Sequence, residues 1–173
     1  MNRSPLHELT ASNGAHYADA AGFTLPANFG AAALEYRRAL ESAAVFDISH
    51  HGKLEVAGPE APQFLHNLCT NDVAGLPLGG GCEAYFCDRR AKALAHALIF
   101  HVLVAGGRHA FWLDVTPGHA ESLLKHLDRH LIAEQVEMSD LTSQFAQVHL
   151  AGPKAPEILA RAIGGPVPHL AEF

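Results

Sequence analysis

Charge is scarce in this chain. Only 17% of its 173 residues are charged, with 12 basic residues against 18 acidic ones and a net charge of −6. Basic residues adjoin only at Arg37-Arg38 and Arg89-Arg90, so no stripe of positive charge could track a phosphate backbone, and nucleic acid is not an expected partner. Long apolar runs are missing too. The longest, Ala93 to Ala105, is interrupted by His96 and His101 and is too short to cross a bilayer as a helix. Three cysteines, Cys69, Cys82 and Cys87, form an odd set with no Cys-x-x-Cys spacing, which suits reduced thiols rather than a disulfide frame. The polar start from Met1 to Asn13 has neither the basic cluster nor the apolar stretch of a leader peptide. A soluble, cytoplasmic protein with no membrane partner is the expectation. Glycine-rich phosphate loops, a dinucleotide fingerprint and a Gly-x-Ser-x-Gly elbow are likewise missing, which removes support for nucleotide chemistry and serine hydrolysis.

What is present is enough apolar material, 49% of residues, to core one domain over 1–173. Phe46 to Val56 reads as a short buried strand, a polar turn bearing His50-His51, and a second strand with alternating Leu54 and Val56. Gly58-Pro59 then opens a helix with Phe64, Leu65 and Leu68 on one face, stopped by Thr70-Asn71-Asp72. The segment Val56 to Leu65 returns as Leu150 to Leu159, with six identities in register: Ala, Gly and Pro, then Ala and Pro, then Leu. Each copy reads as strand, tight glycine exit and proline-started helix. Between the copies, Cys82–Cys87, Ala93–Ala105 and His109–Val115 form an expected antiparallel meander, joined by turns at Asp88 to Lys92 and at Gly106-Gly107. A helix from Pro117 to Leu131, with Leu124, Leu127 and Leu131 on its stripe, precedes strands at Val136–Leu141 and Phe145–Leu150. Upstream, Leu6–Ala11 and Ala31–Ala43 read as helices, and Pro166 and Pro168 end the chain in polar coil. The fold class is α+β, an antiparallel sheet with flanking helices.

The order Ser4-Pro5-Leu6-His7-Glu8-Leu9, Gly14-Ala15, Ala21-Gly22-Phe23, Phe46-Asp47-Ile48-Ser49-His50, Phe64-Leu65, Asn71-Asp72-Val73 and Gly152-Pro153-Lys154-Ala155 resembles the N-terminal domain of the glycine-cleavage T-protein, the tetrahydrofolate-dependent aminomethyltransferase. The resemblance implies a folate-like small molecule as ligand and tetrahydrofolate as cofactor. It also implies a second domain and a C-terminal barrel that are absent from this sequence, so that a homo-oligomer or a separately encoded partner domain would cover the pocket. In that family the hairpin after the first meander strand resembles Asn-Glu-x-Gly-Gly, followed by an Asp-Asp pair whose second member holds folate. Here Asp88-Arg89-Arg90-Ala91-Lys92 leads to Ala95-His96, so both carboxylates are replaced and the hairpin has lost its glycines. A fixed anion would stabilise positive charge near a ring nitrogen, whereas the imidazole of His96 keeps only acid–base and hydrogen-bonding capacity. The family's pocket tyrosine aligns with Glu83 and its asparagine with Thr116. Candidate ligand-contacting residues are therefore His51, Glu83, His96 and Thr116, with aminomethyl transfer not expected.

Two further readings stay open. The chain could be an interaction module that kept the fold and lost the ligand, or its 13 histidines could serve a metal enzyme. Strand alternation puts His96 and His101 on opposite faces, and His126 with His130 reads as a solvated helix face lacking a third ligand, so no metal is expected. Asp88-Arg89-Arg90 reads as an exposed hairpin whose arginines could also clamp an anionic tail.

Overall fold

The structure, a computed structural model, describes residues 1–167, so Pro168 lies outside the described residues. The chain forms two compact units, one from Met1–His50 together with the segment after Phe145, the other from His51–Phe145.

The first unit begins with β1 (Asn2–Arg3), α1 (His7–Ser12), β2 (His16–Ala20) and β3 (Phe23–Asn28). β2 and β3 form an antiparallel hairpin and β1 adds to β3 in parallel. Sequence reading placed no strands here, because the two-residue turn is Ala21-Gly22 rather than Asn-Gly, yet both residues take the positive φ that such a turn demands, 47° and 82°. Pro26 is tolerated in the middle strand because β1 pairs only with Phe23 and Thr24. α2 (Ala32–Glu41) and β4 (Ala44–Asp47) follow. The expectation of a buried strand at Phe46 is corrected: Val45 is 60% and Phe46 48% exposed, because β4 has a sheet partner on one side only. The Asp-Ile-Ser motif is a structural clasp. Asp47 Oδ1 accepts Ser49 N–H at 3.0 Å, and the fully buried Ser49 hydroxyl oxygen accepts Gln147 N–H at 3.0 Å.

The second unit holds β5 (Gly52–Ala57), α3 (Ala61–Leu68), β6 (Gly81–Cys87), β7 (Ala93–Val104), β8 (Arg108–Val115), α4 (Ala120–Asp128) and β9 (Glu137–Asp140). Its sheet runs β6-β7-β8-β5-β9, antiparallel throughout. Period-two alternation puts Phe86, Ile99, Leu113, Val115, Leu54 and Val56 on the face that packs with Phe64, Leu65, Leu123 and Leu127 of the two helices. Each of the larger members removes enough apolar surface to contribute roughly 1.5–3 kcal/mol before chain entropy is counted. The meander forms where period and turn signals put it.

Helical details differ from the expectation. Pro59, Pro117 and Pro153 all lie in turns ahead of their helices, which start at Ala61, Ala120 and Ala155; in the first and last it is Pro62 and Pro156 that sit in the opening turn, and Gly118 takes φ 81° before α4. The buried stripe is Leu123, His126 and Leu127, so His126, only 7% exposed, is not on a solvated face. The solvated side of that expectation holds for His130, which is exposed and joins its Nδ1 to the His126 carbonyl at 2.8 Å.

The hairpin that lacks the family's glycines still turns tightly. Asp88 Oδ1 accepts the backbone N–H groups of Arg90 and Lys92, at 2.8 and 3.0 Å. These bonds, Lys92's first, hold its carboxyl below the usual carboxylate range. Ala91 occupies the left-handed region at φ 60° in place of glycine.

The chain then returns to the first unit with β10 (Val148–Ala151), antiparallel to β4, and α5 (Ala155–Ile163). The sequence repeat is a structural one. Gly58 and Gly152 both have φ 123°, and in each copy an N–H three residues on, Ala61 or Ala155, bonds the glycine carbonyl. Both glycines lie against backbone: an added Cβ would sit 2.2 Å from the Gln135 carbonyl oxygen at the first and 2.5 Å from that of Ser42 at the second. The two contacts are equivalent, since Gln135 and Ser42 each precede by two residues the strand, β9 or β4, that pairs with the repeat's own strand.

Candidate functional site

The face of the second unit's sheet turned away from its helices carries polar side chains at alternating positions, where the first unit's two short sheets bring together no comparable set. In β6 these are Glu83 and Tyr85, in β7 His96, and in β8 Trp112 and Asp114, with Thr116 just past the strand. Register decides who meets whom. Tyr85 pairs with His96 and Glu83 with Leu98, which brings Glu83 diagonally beside His96. The Glu83 Oε1 to His96 Nε2 distance is 2.7 Å. On its other side, His96 Nδ1 lies 3.5 Å from Thr116 Oγ1, and Thr116 donates its N–H to the His96 carbonyl at 3.1 Å. The Tyr85 ring covers the imidazole at 5.0 Å between centroids. Three of the four residues singled out in the sequence thus stand together, with the Glu83 carboxylate on the His96 ring and the Thr116 hydroxyl donating to the His96 backbone carbonyl at 3.3 Å, nearer than the ring nitrogen. With Glu83 accepting from the Nε2–H tautomer, Nδ1 is left as an acceptor directed toward Thr116.

His51 belongs to a neighbouring pair. It precedes Gly52, whose partner is Val115, so the ladder extended by one residue sets it across from Thr116. Its Nδ1 is 2.7 Å from Asp114 Oδ1, and Lys53 Nζ donates to its carbonyl at 2.8 Å. Asp114 escaped the sequence reading. The signal is local, since alternation along β8 puts Trp112, Asp114 and Thr116 on one face. Further along the same face Glu55 is held by Trp112 Nε1 at 2.9 Å and by Arg108 at 2.7 Å, which fixes the strands without offering a free group.

The four candidates do not line the cavity of about 860 Å³ that opens beside α3 and α4. That space is bordered by Cys69, Thr70, Tyr85, Arg89, His126 and Arg129, among others, and Tyr85 also belongs to the open face. Burial pushes the Cys69 thiol above its ordinary range, and the buried His126 imidazole is held below its own, first by desolvation and then by His130 and Arg129. The three cysteines are free, and among the described residues no cluster of three or more His, Cys, Asp or Glu is arranged to hold a metal ion. Among the described residues no helix is long and apolar enough to cross a membrane.

Chemically, the face offers two carboxylates, each bonded to an imidazole, within an antiparallel sheet that fixes their spacing. Such groups can accept or donate a proton and can hydrogen-bond a polar heterocycle.

Comparison with known proteins gives this geometry a family. The chain is 30% identical over 162 residues to an aminomethyltransferase of Symbiobacterium thermophilum, covering 92% of this chain and 42% of that protein. It is 29% identical to a probable aminomethyltransferase of Halobacterium salinarum, covering all of this chain and 48% of that one. The fold superposes on the crystal structure of the glycine cleavage system aminomethyltransferase T from Bartonella henselae with a TM-score of 0.84 at 26% identity, over 98% of this chain and 45% of that chain. The chain therefore spans about half the length of the curated relatives it matches. With the model of the GCVT N-terminal domain matching residues 6–169, the chain belongs to the GCVT N-terminal domain family.

Proposed function

We propose that this chain is a folate-binding member of the aminomethyltransferase family that binds a tetrahydrofolate-like molecule on the open sheet face, without aminomethyl transfer. The observation that carries this reading is the convergence of Glu83, His96 and Thr116, three positions that the family resemblance assigned to the ligand, at one place on the open face. Loss of transfer follows from charge. The anion expected in β7 is an imidazole here, and the nearest carboxylate, Glu83, is bonded to its Nε2, so one carboxylate engaged with an imidazole stands where the resemblance implies an Asp-Asp pair. His51 with Asp114 would add a second polar contact one strand over. Because the face is open in the second unit by itself, binding would gain from a cover, supplied by a second copy or by a partner domain of the kind that fills the rest of the longer relatives. The site lies in a cytoplasmic setting on this reading and takes no metal.

Calorimetric titration with tetrahydrofolate tests it. Heat with a dissociation constant in the millimolar range or tighter is expected, weakened about tenfold by Glu83→Gln or His96→Ala, since either removes one hydrogen bond to a charged or polarised group. Absence of heat and of a thermal shift at millimolar ligand would overturn the reading.

The alternative, an interaction module without ligand, is favoured by one observation: the apolar side chains left exposed on β4, β10 and α5.

A further inference from the structure

The alternation that separates His101 from His96 sets it beside His109. In the β7–β8 ladder His101 faces Phe111 and Leu103 faces His109, so the two histidines are diagonal neighbours on the side of the sheet that carries Phe111, away from the face of Glu83 and His96. Register brings their rings together. His101 Nε2 lies 2.9 Å from His109 Nδ1, with the ring centroids 5.1 Å apart.

His101 is held rigidly. Its ring stacks on Phe111 at 4.7 Å and 19°, its N–H donates to the Gly80 carbonyl at 3.0 Å, and its own carbonyl accepts the Gly79 N–H at 2.8 Å. The ring Nδ1 is 2.9 Å from the Leu76 carbonyl oxygen. A carbonyl only accepts, so Nδ1 carries the hydrogen and Nε2 of the neutral ring presents its lone pair to His109. An imidazole whose second nitrogen is tied to a backbone carbonyl in this way is oriented and electronically prepared as a metal ligand. His109 is exposed where His101 is half-buried, so it turns about its side-chain bonds without disturbing the core. A second close ring pair, His126 and His130, offers no such opening, because His130 Nδ1 is spent on the His126 carbonyl.

The separation of the two nitrogens selects the ion. Ligands about 2.0–2.1 Å from a metal and at right angles stand roughly 2.9 Å apart, whereas the tetrahedral angle of zinc spreads them to about 3.4 Å.

We propose that His101 Nε2 and His109 Nδ1 form a two-histidine site for a divalent late transition-metal cation with right-angled coordination, water completing its sphere. On binding, the His109 hydrogen passes from Nδ1 to Nε2. The N–H···N bond breaks, two nitrogen–metal bonds form, both rings stay neutral and no proton is released. The site lies on the other side of the sheet from the folate reading and depends on none of its residues.

Calorimetric titration of the untagged chain with nickel(II) tests it, nickel replacing copper(II), which the three free thiols would reduce. One equivalent with a dissociation constant of about 10–100 µM is expected. In long-range nitrogen–proton spectra the ring signals of His101 and His109 should be perturbed before those of the other histidines. His101→Gln and His109→Asn should each weaken binding at least tenfold, and the second, at an exposed side chain, decides the matter if the first does not fold. Absence of heat at millimolar nickel overturns the proposal, as does binding that survives both substitutions or that is lost only when His50 and His51 are replaced. Tighter binding of zinc than of nickel overturns it as well, since the right-angled geometry would then be wrong.

Discussion

His126 shows how one burial changes a residue's chemistry. Helical spacing from His130 made it look solvated, but the face that α4 buries is Leu123, His126 and Leu127, and in that core stripe an imidazolium is poorly tolerated. Its protonation constant is depressed in the folded state below the ordinary value of 6.5 that the unfolded chain keeps. The unfolded state therefore binds more protons in the window between the two values, and stability falls as pH drops below 6.5 until the folded-state value is reached. Urea denaturation at a series of pH values from 8 to 5, roughly, should show that decline, and His126→Gln should flatten it relative to its own neutral-pH stability. Glu83 and His96 belong to the same level. Their bond makes the neutral imidazole the Nε2–H tautomer, which long-range nitrogen–proton spectra would detect, and Glu83→Gln should shift the tautomer balance.

Turns and strand exits carry the next set of consequences. Gly58 and Gly152 are irreplaceable for two independent reasons, a φ of 123° and a carbonyl oxygen within 2.5 Å of any Cβ. Alanine at either should cost about 2–4 kcal/mol by chemical denaturation, more than an ordinary surface change and similar at the two sites because the contacts are equivalent. The β6–β7 hairpin gives the reverse case. Ala91 bears a left-handed φ of 60° with Asp88 holding the turn, so Ala91→Gly should stabilise the protein by about 1 kcal/mol, read as a rise in thermal midpoint. The six-identity repeat was legible as sequence because glycine and proline punctuate a strand-to-helix exit in a way few other residues can. The β2–β3 hairpin was not, because Ala21-Gly22 gives a weak turn signal and its strands are short, with Pro26 inside the second.

For the whole chain, the contrast lies between the two units: the contiguous buried core, from Leu54 to Leu127, belongs to the second, whereas in the first the large apolar side chains that are buried are Phe23 and Leu25 among the described residues. Native-state hydrogen exchange should therefore show the amides of β5, β7 and β8 protected longest and those of β2, β4 and β10 exchanging first. Equal protection of the two sets would contradict this ordering.

The α+β class, the meander and the repeat came from local chemistry: alternation, glycine's access to positive φ and proline's fixed φ act within a few residues and leave their mark in order. Three of the four candidate ligand residues were marked by alignment to family positions, yet that they touch follows from strand register, which pairs Tyr85 with His96 and so lets Glu83 reach across. Asp114 beside His51, the burial of His126 and the pairing of β10 with β4 were decided only in three dimensions. Each depends on which strand lies next to which, a choice made by contacts distant in sequence, and adjacency of that kind leaves no period in the chain for a reader to find.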